Sequence, residues 1–305
     1  MKRFLIKIFI SSGLLFIFIL GYGSFCDFFF QQKKYLDISE KKQWILAQEG
    51  GNWDYAVLGS SRAFGAFDMN LLDSLTGWNG INLGSNGSGF KDNYLVLSLF
   101  LKSNQIEKLF LQVDMASLNS KSSFSNEFHA FTFLPYWDDP EVRIVLQEEI
   151  PILNNSISSI LPQWRYFYYN KYFSPKEVIR RVNLKPSVSD IFTDYKGGMK
   201  NADYTSSEIK TYVLPQKKDL EDWKYLWKIK SKAEEEGINL VLFSAPRYQD
   251  NQDILKSILP QISNKLIFPN NFDINNSKFF KDQGHLNYYG QKVFTMYFHE
   301  LIKEL

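Results

Sequence analysis

The chain has one cysteine and three histidines among 305 residues. A lone thiol makes no internal disulfide. Cys26 lies in an apolar run, so the body has neither a disulfide framework nor thiol chemistry, which fits a location outside the cytoplasm. His129, His285 and His299 are scattered, and no His/Cys/Asp cluster has ligand spacing, so no metal and no cofactor is expected. No Gly-Lys-Ser/Thr follows the glycine-rich stretch, which excludes a Walker-type phosphate loop. Charge of one sign is also missing. The 35 basic and 33 acidic residues become 32 of each once residues 1–30 are set aside. A neutral body lacks the basic footprint of a nucleic-acid binder. There is no internal repeat and no low-complexity tract.

What is present starts at the N-terminus. Lys2, Arg3 and Lys7 precede 19 uncharged residues, 8–26, and the run continues past Asp27 into Phe28, Phe29 and Phe30. That length crosses the hydrocarbon core of a bilayer. A cleaved signal would end in small residues, but here the run ends in Tyr22, Phe25 and the triple Phe. Phe25 before Cys26 is also a poor fit to a lipidation site. Residues 1–30 are therefore expected to be an uncleaved, single-pass anchor in the cytoplasmic (inner) membrane. The basic flank sets the N-terminus inside and the body in the periplasm or its equivalent, a bias that Lys33 and Lys34 reduce.

A polar linker, 31–52, leads to one α/β domain over 53–305. "DYAVLGSS", "NGINLGSNGSG", "KLFLQVD", "INLVLFSAP" and "KLIFP" read as strands, with helices expected over 63–76, 90–103, 219–236 and 288–304. Leu220, Trp223, Leu226, Trp227 and Ala233 mark a helical face closed by Gly237, and Val293, Tyr297 and Leu301 stand four apart on the last helix. Alternating strands and helices predict a mostly parallel sheet between helices, a three-layer α/β/α sandwich of flavodoxin-like type. Ligands on such sheets bind beyond the carboxyl ends of the strands. Residues 115–215 break the alternation. Their aromatic-rich stretches "FHAFTFLPYWDDP" and "QWRYFYYNKYF" mark a large insertion, whose aromatics build a small core or line a groove for a sugar, acyl chain or membrane partner.

Three polar motifs fall at the strand ends. "LGSSRA" puts Ser60 and Ser61 in a strand-to-helix turn, as a helix cap or as an exposed nucleophile. In "NLGSNGSG", Gly84, Gly87 and Gly89 allow a tight turn or a backbone cradle for an oxyanion. "KDQGHL" sets Asp282 three residues before His285. The acid can orient one ring nitrogen and leave the other as a base, or it can merely decorate a helix start. Arg62 and Arg247 are candidates for binding a carboxylate or polar substrate, while His129 and His299 read as structural.

Together these motifs resemble the SGNH (GDSL-like) hydrolase superfamily, in particular its membrane-anchored envelope acyl-transfer branch, which includes D-alanyl transfer and alginate O-acetylation proteins. "GSSR" matches the nucleophile turn, with Ser60 where the motif has Asp. "NLGSNG" matches the Asn-x-Gly-x-x-Gly turn, and "DQGHL" the terminal Asp-x-x-His block. The resemblance covers 54–114 and 238–300 and omits the insertion. It implies Ser61 as nucleophile, His285 as base, Asp282 as its orienter, and Ser61 and Gly87 N–H groups as oxyanion donors. It implies O-acyl, and by preference acetyl, transfer or hydrolysis on an envelope polysaccharide, with a multi-pass membrane O-acyltransferase as partner. One departure stands out: the family's third strand ends in Gly-x-Asn-Asp, whose Asn donates to the oxyanion, but here "LQVDMAS" places Asp114 near that position. Either Asp114 points elsewhere, another donor such as Asn86 or Asn119 substitutes, or catalysis is weak. The alternative is a non-catalytic accessory or glycan-binding protein that keeps the fold.

Overall fold

The structure is a computed structural model describing residues 1–31, 41–114, 127–149, 162–167, 189–204, 209, 223–250 and 252–303. In chain order the elements are α1 (Lys2–Gln31), α2 (Lys41–Leu46), β1 (Asn52–Leu58), α3 (Ser61–Phe64), α4 (Met69–Thr76), β2 (Gly80–Asn82), α5 (Phe90–Phe100) and β3 (Gln105–Gln112). There follow α6 (Glu127–Phe133), α7 (Pro140–Glu149), α8 (Pro162–Phe167), α9 (Ser189–Asp194), α10 (Lys224–Glu235), β4 (Asn239–Phe243), α11 (Asp253–Ile258), β5 (Leu266–Ile267) and α12 (Tyr288–Ile302). The chain forms two compact units, Met1–Asp37 with Asn126–Pro186, and Ile38–Ser125 with Ser187–Leu305.

In the first unit, α1 is long and apolar enough to cross a membrane. Within Lys2–Phe25 its most apolar 18 residues have a mean hydropathy of 2.4, and the unit's small core gathers Phe131, Phe133, Leu134, Trp137, Val145 and Tyr166.

The second unit is built on a five-stranded, all-parallel sheet in the order β2-β1-β3-β4-β5. Alternate strand residues point to opposite faces, and both sets are buried. Tyr55, Val57, Phe110, Val241 and Phe243 share one cluster with Phe294 and Phe298 of α12, while Ala56, Leu58, Leu109, Leu111 and Leu242 on the other set are equally closed to solvent. That double burial is why these strands read as continuous apolar runs. The ring of Phe298 lies 4.6 Å from that of Phe67, 5.2 Å from Phe110 and 5.5 Å from Phe243. In this order the strands are added to one side from β1 to β2 and to the other from β3 onward, so a crevice opens beyond the carboxyl ends of β1 and β3.

Several sequence expectations shift in detail. The helix expected over 63–76 is two, because Gly65 ends α3 and Asp68 caps α4, accepting from Leu71 N–H at 3.1 Å. Gly237, at φ 70°, does close α10, in the left-handed conformation that a residue without Cβ adopts freely. The buried stripe of α10 is Leu226, Ile229 and Ala233, with Trp227 exposed and Leu220 outside the described residues. On α12 the buried apolar positions are Phe294, Phe298 and Ile302, one residue on from Val293, Tyr297 and Leu301, which pack only at the margin.

Candidate active site

All of the site belongs to the sheet unit. Where β1 ends, Gly59 takes φ 153°, and a Cβ there would meet Gln112 Cβ at 2.7 Å. Only glycine lets the chain turn this tightly against β3. Ser60 is the cap of α3: its Oγ accepts from Arg62 N–H at 3.3 Å and donates to Gln112 Oε1 at 2.9 Å, and its own N–H donates to that same oxygen at 3.1 Å. With Ser60 so engaged, Ser61 is the serine that faces outward. Its Oγ is 2.8 Å from His285 Nε2.

The turn 281–285 presents the imidazole. His285 Nδ1 is 2.8 Å from Asp282 Oδ1 and 3.1 Å from Oδ2, and Asp282 Oδ1 also accepts from the N–H groups of Gly284 (2.9 Å) and His285 (3.0 Å). A carboxylate beside Nδ1 assigns the ring proton to that nitrogen, which leaves Nε2 to accept from the Ser61 hydroxyl. Burial on its own raises the Asp282 pKa. Hydrogen bonding from the His285 ring, the charge of that ring when protonated and the two backbone N–H groups outweigh burial, holding the carboxyl below its ordinary value.

The glycine loop is fixed from behind by Asn82, fully buried at the end of β2. Its Oδ1 accepts from Gly84 N–H at 2.8 Å and its Nδ2 donates to Ala63 O at 3.0 Å. Gly84 has no room for a side chain, since a Cβ would lie 2.8 Å from Phe64 N. Gly87 takes the left-handed conformation at φ 66°. Asn86 and Gly87 then face a cavity of about 590 Å³ lined also by Ser61, Arg62, Asn201 and His285.

The remaining candidates separate. Asp114 does not point its carboxylate at open space. Its Oδ2 accepts from Gln112 Nε2 at 2.8 Å and pairs with Arg62 Nη1 at 3.2 Å. Arg62 lines the cavity, yet its Nη1 is held by Asp114 and its Nη2 by Ala245 O. Arg247, expected to bind substrate, stands apart from the cavity: it is 4% exposed, pairs with Asp250 at 2.9 Å and donates to Gln283 Oε1 at 3.0 Å. Because Gln283 lies inside the 281–285 turn, Arg247 braces the turn that carries His285. His299 is on α12 beside Glu300 at 3.2 Å. Asn119 lies outside the described residues, as does the side chain of His129. Among the described residues no cluster of His, Cys, Asp or Glu could hold a metal.

Two residues escaped the sequence reasoning. Asn201 donates to Gly65 O at 2.8 Å and to Leu286 O at 2.9 Å, tying the end of the nucleophile helix to the histidine turn. It sits in the stretch 115–215, where no periodicity flags it. Gln112 had a signal that went unread, a long polar amide closing an apolar buried strand, where an unpaired amide is costly. No protein-family model matches the chain, and no curated protein matches it.

Proposed function

We propose that this chain is a membrane-anchored, serine-dependent O-acyl transferase or esterase of the SGNH type. Its sheet and helices would form a three-layer α/β/α sandwich outside the cytoplasmic membrane, and its substrate would be an acylated envelope polysaccharide. One observation carries the reading: the unbroken chain from Ser61 Oγ to His285 Nε2 (2.8 Å) and from His285 Nδ1 to Asp282 Oδ1 (2.8 Å), at the carboxyl edge of a parallel sheet.

The chemistry follows from that chain. Ser61 Oγ attacks the acyl carbonyl carbon as its proton passes to His285 Nε2, and Asp282 stabilises the imidazolium that forms. The carbonyl oxygen takes up the negative charge beside the Ser61 N–H, on the wall that Asn86 and Gly87 provide. As the tetrahedral species collapses, the C–O bond to the departing alcohol breaks, and that alcohol takes the proton from Nε2. An ester on Ser61 remains. A sugar hydroxyl or water, deprotonated by Nε2, then removes the acyl group. The family's Asn donor is absent, and losing one such donor costs roughly 10² to 10³ in rate, so Asn86 is its substitute here. A multi-pass O-acyltransferase is the partner that would supply acyl groups across the membrane.

The second reading, a non-catalytic accessory or glycan-binding protein, draws on Asp114, which stands where that donor is expected and is bound to Arg62. A fluorophosphonate probe on full-length wild type and Ser61→Ala separates the two. Labelling that disappears in Ser61→Ala supports the enzyme. Labelling independent of Ser61, with no turnover of acetyl esters, overturns it.

A further inference from the structure

We infer that α8 lies in the lipid headgroup layer, giving the chain a second, interfacial membrane contact. The inference rests on the proposed anchor but not on any enzymatic activity. The uncharged run of α1 opens at Ile8, and a hydrocarbon core of about 30 Å, about 20 residues of helix, carries it from there to Asp27. That is where α8 is fastened. Arg165 Nη2 lies 2.5 Å from Asp27 Oδ2, and the Tyr166 hydroxyl donates to Asp27 Oδ1. The Arg165 guanidinium also sits over the Trp137 ring at 5.5 Å. Along this stretch α1 packs against α8 and the turn Leu134–Tyr136.

A headgroup layer is about 5–7 Å deep on each side of a hydrocarbon core of about 30 Å, whereas a helix with its side chains is about 10–12 Å across. A helix fastened at the hydrocarbon edge therefore overlaps the headgroups. Sliding the span by half a turn does not lift it clear.

An independent sequence observation points to the same place. Residues 163–173, QWRYFYYNKYF, hold seven aromatics, two basic residues and no acid. Trp and Tyr favour the interface because an apolar ring carries a polar tip, and basic side chains favour lipid phosphates. The Asp27–Arg165 pair fits this setting, since each charge cancels the other where water is scarce and an unpaired charge is costly.

The test uses the full-length wild-type chain in phosphatidylcholine vesicles carrying photoactivatable lipids. One lipid has its diazirine at the acyl-chain end and the other at the headgroup, and adducts are mapped by mass spectrometry. The expected result is acyl-end adducts on residues 4–25 and headgroup adducts on 162–167, with none on the sheet peptides 52–58 and 105–112. Acyl-end adducts on 4–25 with no headgroup adducts on 162–167 overturn the inference and leave the anchor standing. Absence of adducts from 4–25 overturns both. Equal labelling of sheet peptides and 162–167 also overturns the interfacial seat.

Discussion

Asp282→Asn isolates what the acid does for His285. An amide at this position keeps the shape of the turn, because its oxygen can accept from the Gly284 and His285 N–H groups as Asp282 Oδ1 does. Its NH₂ then falls where Oδ2 stands, 3.1 Å from His285 Nδ1. The Nδ1 proton nevertheless keeps its nearer acceptor, the amide oxygen at 2.8 Å, so Nε2 still accepts from Ser61. What the variant removes is the charge that stabilises the imidazolium. At about 4 Å a unit pair is worth about 1 kcal/mol in water and about 4 kcal/mol at an effective dielectric of 20. The Asp282 side chain is 47% exposed, so screening sets this loss near the lower end, about 1–2 kcal/mol, or roughly 5- to 30-fold. We predict that kcat/KM for acetyl-ester hydrolysis falls roughly 5- to 30-fold while the thermal midpoint changes little. A rate within about threefold of wild type, less than 1 kcal/mol, refutes the reasoning. In acid the same substitution has a signature in stability. Folding lowers the Asp282 pKa, so the carboxylate's stabilisation is present above its ordinary 3.8 and lost as pH falls through the folded value, and the Asn variant lacks that portion of acid sensitivity.

Ser60→Ala removes the cap of α3 and should cost about 1 kcal/mol of stability, yet leave Ser61-dependent probe labelling in place; loss of labelling with an intact fold would exchange the two serines' roles. Asp114→Ala strands the Arg62 guanidinium, whose side chain is only 10% exposed, and should cost about 3–5 kcal/mol in urea denaturation. Lys41 is fully buried, donating to Asn82 O at 2.5 Å with the Trp44 ring 4.8 Å from its Nζ, and desolvation lowers its pKa well below 10.5. Between that lowered value and 10.5 the unfolded chain binds more protons, so wild-type stability rises with pH across this window. Lys41→Met should flatten that rise in urea melts at a series of pH values, and an unchanged slope refutes the burial argument.

Local chemistry made much of this protein legible before its fold was known. Strands such as Tyr55–Leu58 announce themselves because both faces are buried and the run is apolar throughout, and Gly237 ends a helix because it alone enters the left-handed region without cost. Asp282 and His285 are three residues apart, so one turn suffices to join them. The span Lys2–Phe25 needs only length and composition. The buried face of α12 was placed one residue off, because Val293, Tyr297 and Leu301 are as apolar as their neighbours and only packing against Phe67, Phe110 and Phe243 selects Phe298.

Contacts across long stretches of chain were decided by tertiary structure alone. Ser60 and Ser61 are indistinguishable by residue type; Gln112, on another strand, engages the first and leaves the second to meet His285 across 224 positions. The carboxylate of Asp114 is an open charge only in a chain read without Arg62 and Gln112 beside it. Arg247 looked like a ligand group until its guanidinium was found spent on Asp250 and Gln283. A sequence displays the periodicity and conformational limits of each segment, but the partner that satisfies a buried polar group comes from whichever distant segment the sheet order brings beside it.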